Sequence, residues 1–170
     1  MAIARLNEDG MPQPHYPGWV DTPPLVKIEH PCVPVAKGRP RSKIVRGRHG
    51  APFIQVYTPK ETVAFEKDVA WQAKASMRDK QPFDGALAAR ITILLPVPLS
   101  WSKPDRDAAA AGYIWPASRP DWDNHAKSIC DACNGIVWGD DAQLVEVLVV
   151  KKYAASPGII LDVYAMSAPE

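Results

Sequence analysis

The sequence is short of cysteine and of long apolar stretches. Its 170 residues include three cysteines, Cys32, Cys130 and Cys133. An odd number does not build an even framework of disulfide bridges, and so few thiols are typical of a reducing cytosol. The longest apolar run is far too short to cross a membrane, and the amino end does not resemble a signal peptide. These absences predict a cytoplasmic protein and exclude a secreted disulfide scaffold.

Acidic residues are absent from one stretch and basic residues are scarce in another, although the net charge is only +1. No aspartate or glutamate occurs at positions 30–60, whereas positions 121–146 hold six acids and one lysine, Lys127. The basic residues of the first stretch are Lys37, Arg39, Arg41, Lys43, Arg46, Arg48 and Lys60. A basic segment beside an acidic centre favours a protein that holds a polyanion with one and acts on it through metal ions at the other.

The chain length suits one domain with a sizeable core. Prolines crowd residues 1–24 and predict an extended or disordered leader, so the domain is expected to span 25–170. Strands are predicted at 25–35, 53–58, 89–98, 143–153 and 158–166, and 99–119 is predicted as a loop. Helices and strands intermingle without a strict βαβ repeat. The predicted fold class is therefore α/β of the α+β type, a mixed sheet packed by two main helices.

The first helix is predicted to begin at Thr58, which is expected to cap it, with Pro59 in the first helical position and Glu61 completing a capping box. Its core-facing stripe repeats every four residues as Phe65, Val69, Ala73 and Met77. The second helix is predicted from Trp122 to Asn134 and closed by Gly135. Its predicted apolar face consists of Trp122, Ala126, Ile129 and Cys133.

Two pairs of aspartates bracket the second helix: Asp121 with Asp123, and Asp140 with Asp141. Two carboxylates about 4 Å apart repel by roughly 4 kcal/mol at an effective dielectric near 20. Bringing the pairs together therefore requires a cation, and clustered oxygen ligands suit Mg²⁺ or Mn²⁺. Such an ion activates water and neutralises charge on a phosphodiester.

The ordinary alternative explains each aspartate separately. Asp at a helix start is favoured by capping and by the helix dipole, and the Gly-Asp-Asp turn at 139–141 is common before a strand. Spacing alone leaves the functional and the ordinary interpretation open.

A composite motif spans residues 119–153, "RPDWDNHAKSICDACNGIVWGDDAQLVEVLVVKKY". It resembles the signature of the RusA family of Holliday junction resolvases. That signature reads roughly K/R-P-D-x-D-N-x-x-K, an aspartate four residues later, N-G-x-x-W-x-D-D-x-Q, and a strand ending in K-x-Y. Segments such as "VPVAKGRPR" and "VYTPKETVAFE" extend the likeness to about residues 31–166.

The resemblance implies a small α/β domain that dimerises. It also implies a Mg²⁺-dependent endonuclease, with Mn²⁺ as a substitute, that nicks two strands symmetrically at a four-way DNA junction. By position in the motif, the catalytic and metal-binding carboxylates correspond to Asp121, Asp123 and Asp141, and the adjacent Asp140 is a further candidate ligand.

Two residues of the second helix complete the motif. Lys127 corresponds to the motif lysine and is expected to act in catalysis by holding a phosphate or stabilising the charged transition state. Asp131 corresponds to the helix aspartate, for which a partly structural role is expected.

Residues 37–48 form the predicted DNA-binding segment, in which Lys37, Arg39, Arg41, Lys43, Arg46 and Arg48 contact phosphates together with Lys127. The alternative is a solvated basic loop. Cys130 and Cys133 lack the further ligands of a zinc site and are predicted to pack in the core. His125 is predicted at the surface or its boundary, and Trp122 in the core.

Two alternatives to junction resolution stay open. One is a nuclease of the same chemistry that prefers flaps, forks or other branched DNA. The other is a catalytically inactive DNA-binding structural protein, against which the intact Asp121, Asp123, Lys127 and Asp141 argue.

Overall fold

The structure, a computed structural model, describes residues 18–46 and 52–166. The strands are β1 Val26–Pro31, β2 Arg41–Val45, β3 Phe53–Tyr57, β4 Leu87–Pro96, β5 Leu144–Ala154 and β6 Gly158–Ala165. The helices are α1 Lys60–Met77, α2 Lys103–Ala110 and α3 Trp122–Cys133. Short 3-10 helices occupy Gly18–Asp21 and Asp141–Gln143. No helix in these ranges is both long and apolar enough to cross a membrane.

Four strands form one mixed sheet in the order β1-β6-β4-β5. β4 runs parallel to β5 and antiparallel to β6, and β6 is antiparallel to β1. Side chains along the central strands β4 and β6 point alternately to the two faces of the sheet. Ile91 and Ile93 of β4 lie with Leu161 and Val163 of β6 in the core. The predicted mixed sheet with helices packed on it is confirmed.

Helices α1 and α3 pack against each other above the core face of this sheet. The predicted stripe of α1 is confirmed, because Phe65, Val69, Ala73 and Met77 are all buried. In α3 the buried apolar residues include Ala126, Ile129 and Cys133. Gly135 has a φ of 71°, the left-handed conformation that ends many helices. This packing fixes the direction of α3, and with it the position of Asp123 in its first turn.

Strands β2 and β3 form a separate antiparallel hairpin. The register pairs Lys43 with Gln55 and Ile44 with Ile54. One side of this ribbon therefore carries Arg41 and Lys43, and the other carries the exposed residues Ile44, Ile54 and Val56. The strand predicted at 53–58 is present as β3, and residues 47–51 lie outside the described residues.

The predicted start of α1 and the predicted end of β1 are wrong. α1 begins at Lys60 with Pro59 as its N-cap residue, because Pro59 has an extended ψ of 141° and packs its ring against Gly38. Thr58 therefore does not cap the helix. β1 ends at Pro31 rather than at residue 35.

The predicted loop 99–119 contains helix α2. Ser102 caps it by accepting a hydrogen bond from the backbone N–H of Asp105, and Pro104 lies in its first turn. An alanine run continues the helix to Ala110. The N-cap serine and the proline in the first turn are visible in the sequence, but proline and charged residues are also common in loops, and a loop was predicted.

Part of the predicted leader is described. Residues 18–21 form the first 3-10 helix, and the ring of Trp19 packs against Tyr164 with centroids 4.9 Å apart. The prediction of an extended or disordered leader for residues 1–17 lies outside the described residues.

Candidate active site

Two aspartates at the start of α3 face one open cavity. Asp121 is the N-cap residue of the helix, Asp123 lies in its first turn, and both are exposed. The cavity measures about 650 Å³. Its other described lining residues are Pro116, Ala117, Ser118, Trp122, Val149 and Lys151. The structure therefore brings the first predicted pair of carboxylates to a single site.

The carboxylate of Asp121 does not cap the helix. An N-cap aspartate ordinarily accepts a hydrogen bond from a backbone N–H two or three residues later, but Asp121 makes no such bond. Asp123 accepts a hydrogen bond of 3.3 Å from the side-chain amide of Asn124. Ordinary helix capping therefore does not explain Asp121, and its oxygens are free to bind a ligand.

The cavity also contains a lysine that the sequence analysis missed. Lys151 lies on the edge strand β5 opposite Ile93. Its ammonium donates hydrogen bonds to the carbonyl oxygens of Ser118 at 3.0 Å and Pro120 at 2.7 Å. Lys151 is the lysine of the K-x-Y end of the motif, which could have indicated it. Because side chains alternate along a strand, Lys151 lies on the same face of β5 as Val149.

Trp122 is exposed, and its predicted place in the core is wrong. Its side chain is 58% exposed and lines the cavity. Its helical phase matches that of Ala126 and Ile129, but the cavity at the start of α3 is bordered by Val149 on the edge strand β5. No strand follows β5 in the described sheet, so the ring is left uncovered there.

The second pair of aspartates has a different environment. Asp140 caps the 3-10 helix Asp141–Gln143, accepting a hydrogen bond of 2.8 Å from the backbone N–H of Ala142. Gln143 completes a capping box by accepting from the N–H of Asp140. Ordinary turn chemistry thus accounts for Asp140. Asp141 is half-buried and lies close enough to α3 for its charge to raise the pKa of the Cys130 thiol, after the larger effect of burial.

Several motif residues build this turn rather than the cavity. The indole N–H of Trp138 donates to the side-chain oxygen of Asn134 at 2.7 Å, and Trp138 is fully buried. The side-chain amide of Gln143 donates to the carbonyls of Phe83 and Gly85. The N-G-x-x-W-x-D-D-x-Q part of the signature therefore fixes how the chain passes from α3 to β5.

Asp131 holds the basic segment against the helices. Its carboxylate lies 2.8 Å from the ammonium of Lys37, which also contacts Glu66 at 2.5 Å, and 3.5 Å from that of Lys127. Burial alone would raise the pKa of Asp131, but the hydrogen bond and charge of Lys37, with Lys127, hold that pKa below its ordinary value. The backbone N–H of Lys37 also donates to the carbonyl of Asn124. These contacts are those of a structural residue.

His125 is buried, and its predicted place at the surface or boundary is wrong. It is only 1% exposed, and neither ring nitrogen has a hydrogen-bond partner. Burial lowers the pKa of His125, and the charge of Lys151 lowers it further. Ser128 is also fully buried without a hydrogen-bond partner. The two residues lie three apart in α3, a polar stripe that a hydrophobic pattern does not reveal.

Cys130 and Cys133 pack in the core, as predicted. Both thiols are buried and neither forms a disulfide. Burial raises the pKa of each, that of Cys130 to about 12. They are therefore unreactive core side chains.

Comparison with known proteins identifies the family. Residues 31–164 match the family described as Endodeoxyribonuclease RusA. The chain belongs to the RusA family. It is also similar to a Bacillus subtilis (strain 168) protein named "Uncharacterized protein YqaN", with 31% identity over 137 residues that cover 79% of this chain and 92% of that protein. The resemblance drawn from the motif is confirmed.

RusA proteins are endodeoxyribonucleases, hydrolases of phosphodiester bonds in DNA. The donor set at the cavity fits a hard divalent cation, because Mg²⁺ is often held by one or two carboxylates and keeps several waters. Asp121 and Asp123 supply two. Within residues 18–46 and 52–166, no group of three or more His, Cys, Asp or Glu side chains has a metal-binding arrangement. Asp141 and Asp140 are thus not joined to the first pair, and the four ligand assignments stay predictions.

The predicted DNA-binding residues of this RusA chain differ in their surroundings. Arg39, Arg41, Lys43 and Arg46 are exposed, and the ammonium of Lys43 lies 5.4 Å from the ring centre of Tyr57. Lys37, in contrast, is paired with two carboxylates. Lys127 is largely exposed beyond its long contact with Asp131. Arg48 lies outside the described residues.

Proposed function

We propose that this chain resolves four-way DNA junctions as a Mg²⁺-dependent endonuclease, with Mn²⁺ able to replace Mg²⁺. One observation carries the proposal: Asp121 and Asp123 share an open cavity, and no cap bond occupies the carboxylate of Asp121. Membership of a family of endodeoxyribonucleases supplies the reaction class. The cleavage of branched DNA follows from the motif by analogy within that family.

The electrostatics of the cavity support a bound cation. Neither Asp121 nor Asp123 forms an ion pair with any residue in the described ranges. Two unpaired carboxylates that face one cavity repel each other, and a divalent cation bound by both offsets that repulsion. A metal ion held there would activate water and neutralise charge on the scissile phosphate.

Lys127 and two further aspartates have proposed roles. The ammonium of Lys127 is exposed on α3 and is proposed to contact a phosphate or to stabilise the transition state. Asp141 is proposed as a third carboxylate because of its position in the motif. Asp140 is the weakest candidate ligand, since one of its oxygens already caps the following turn.

The hairpin is proposed to hold the DNA backbone. Arg41 and Lys43 are exposed on β2, and Arg39 and Arg46 are exposed on either side of that strand. No acidic residue occurs at positions 30–60, so these side chains are free to neutralise phosphates. Arg48 is included in the proposal from its place in the sequence. Lys37 is proposed to anchor this segment through Asp131 and Glu66 rather than to contribute a full phosphate contact.

A homodimer is proposed because junction resolution needs two symmetric cuts. The motif occurs once in the sequence, so each chain supplies one site. Two copies related by a two-fold axis supply both cuts in matching geometry. A two-stranded ribbon is marginally stable alone, and the exposed side of the hairpin formed by Ile44, Ile54 and Val56 is apolar surface suited to such an interface.

The experiment that tests this function incubates the full chain with a labelled four-way junction. Duplex, flap and fork substrates are run in parallel, each with Mg²⁺, with Ca²⁺ and without divalent ions. Paired cuts in the junction that require Mg²⁺ are expected, with binding but no cutting in Ca²⁺ because that larger ion coordinates loosely. Preferential cutting of flaps or forks would replace the junction by another branched substrate. If the chain binds DNA but does not cut it with any of the metal ions, the alternative of a DNA-binding structural protein is supported.

Assembly is tested separately. Light scattering at micromolar protein is expected to give about twice the chain mass, and a supercoiled cruciform plasmid is expected to become linear through two cuts. A monomer on DNA that leaves only nicked circles would contradict the paired mechanism.

A further inference from the structure

The segment before Asp121 is a connection between helices, and its position determines where that carboxylate lies. Residues 111–120 run from the end of α2 to the N-cap of α3. The hydrogen bond inside its final part is local, from the N–H of Ala117 to the carbonyl of Trp115. A carboxylate carried by such a connection needs support from a more rigid element if it is to hold a metal ion in one place.

That support comes from the sheet through Lys151. β5 is hydrogen-bonded to β4 along its length, with Lys151 opposite Ile93, so the backbone of the lysine is fixed. Its ammonium reaches across the cavity wall to two carbonyls, those of Ser118 and Pro120. The second of these belongs to the residue directly before Asp121. Both are charge-assisted hydrogen bonds, which are stronger than those between neutral groups.

We propose that Lys151 is a positioning residue for the metal site, one that holds the 118–120 segment so that the Asp121 carboxylate stays beside Asp123. The inference rests on the proposed function and deepens it. Groups that orient metal ligands typically change metal affinity about 10- to 100-fold when they are removed. Lys151 thereby differs from Lys127, whose ammonium contacts Asp131 on the same helix and is proposed to act on the substrate.

A competing role is direct contact of Lys151 with the scissile phosphate, since Lys151 lines the same cavity. The two roles differ in what a substitution changes. Loss of a positioning residue weakens metal binding even without DNA, and saturating metal restores much of the rate. Loss of a phosphate contact leaves metal binding in the free protein unchanged.

The test measures metal binding directly with Tb³⁺, whose luminescence is sensitised by a nearby indole. Trp122 lies between the two aspartates in the sequence and lines the same cavity, so its indole can serve as the sensitiser. The full chain is titrated as wild type, Lys151→Met, Lys151→Arg and Lys152→Met. Lys152 is the matched control, because alternation along β5 points it to the opposite face. Thermal unfolding checks that each variant is folded.

Lys151→Met is expected to weaken Tb³⁺ binding about 10- to 100-fold and to raise the Mg²⁺ concentration for half-maximal cleavage by a similar factor. Lys151→Arg, which keeps charged donors, is expected to restore most of the affinity, and Lys152→Met to match wild type. Should Lys151→Met not fold, Lys151→Gln replaces it, with a smaller loss in the same direction. Tb³⁺ binding by the folded variant within twofold of wild type would overturn the positioning role.

Asp121→Asn separates failure of this inference from failure of the proposed function. If Asp121→Asn abolishes Tb³⁺ binding while Lys151→Met does not, only the role of Lys151 is wrong. If Asp121→Asn also leaves binding unchanged, the metal site itself is misplaced and both proposals fail.

Discussion

Asp121 and Asp140 occupy the same position, the N-cap of a helical segment, in two parts of the molecule. Asp140 uses its carboxylate as a cap, bonded to the N–H of Ala142 and supported by Gln143. Asp121 makes no cap bond and faces an open cavity with Asp123. The two N-cap aspartates therefore differ in whether the capping bond is made, and the one without it is the carboxylate that we propose as a metal ligand.

A third acid of the same region shows another use. Asp131 lies between the two pairs in sequence, but its charge is compensated by Lys37 and, at a longer distance, Lys127. Six acids in 26 residues thus do not form one cluster. Free, capped and ion-paired carboxylates are expected to respond differently to the same change of charge.

The largest expected effect follows from neutralising a free carboxylate. Asp123→Asn should lower junction cleavage by at least about 10²-fold, because the amide keeps the shape but loses the charge that holds the metal ion. Junction binding should survive. Gel-based cleavage assays at saturating Mg²⁺ measure the rate, and Asp140→Asn serves as the matched control. Substantial cleavage by Asp123→Asn would remove this residue from the site.

The comparison of free and paired charges extends to the basic segment. Replacing Arg39, Arg41 and Arg46 by alanine should weaken DNA binding and flatten its salt dependence, by about 0.9 in log–log slope for each lost phosphate contact. Binding is measured over a range of salt concentrations. Lys67→Ala with Lys74→Ala, two exposed lysines of α1, is the control. An unchanged slope in the hairpin variant would mean that the segment is only a solvated loop.

Because Asp140 caps a helix and Asp123 does not, substitutions of these two residues should also differ in their effect on the stability of the protein. Asp140→Ala should lower the free energy of unfolding by about 1 kcal/mol, the usual cost of a lost N-cap. Asp123→Asn should change it by less than about 0.5 kcal/mol, since no cap or ion pair is lost. Urea unfolding of both variants measures the difference. Equal destabilisation by the two substitutions would contradict the distinction between a capping and a free carboxylate.

The smallest expected effect is the contribution of Asp131 to the stability of the protein at acidic pH. Its pKa is lower in the folded protein than in the unfolded chain, so the unfolded chain binds more protons. This stability is present above the unfolded pKa, near 3.9, and is lost as the pH falls through the folded value. Asp131→Asn should therefore flatten the decline of unfolding free energy below about pH 4. An acid decline as steep as that of wild type would show that the ion pair with Lys37 contributes nothing.

Much of the fold was predictable because it depends on local periodicity. The stripe from Phe65 to Met77 follows from regular spacing, and the end of α3 two residues before Gly135 follows from a residue suited to a positive φ. Helix α2 was missed because Ser102 and Pro104 also suit a loop. Pro59 is the N-cap because the basic segment packs against it, and no local rule contains that contact.

The site was predictable only in part, because a motif indicates residue types but not their surroundings. The motif predicted that Asp121 and Asp123 lie at one site, and both residues line the same cavity. The exposure of Trp122 and the burial of His125 depend on where α3 lies above the edge of the sheet. The hydrogen bonds from Lys151 to Ser118 and Pro120 join residues 31 or more positions apart in the sequence. Local spacing patterns do not predict contacts over such separations.

Mn²⁺ binding measured by electron paramagnetic resonance, without DNA, tests the central distinction most directly. Wild type, Asp140→Asn and the double variant Asp121→Asn/Asp123→Asn are titrated under the same conditions. The account predicts that Asp140→Asn binds Mn²⁺ as wild type does and that the double variant loses this binding. Retained binding by the folded double variant would contradict the assignment of Asp121 and Asp123 as the metal-binding pair. Equal loss in Asp140→Asn would contradict the distinction between the capping and the uncapped aspartate.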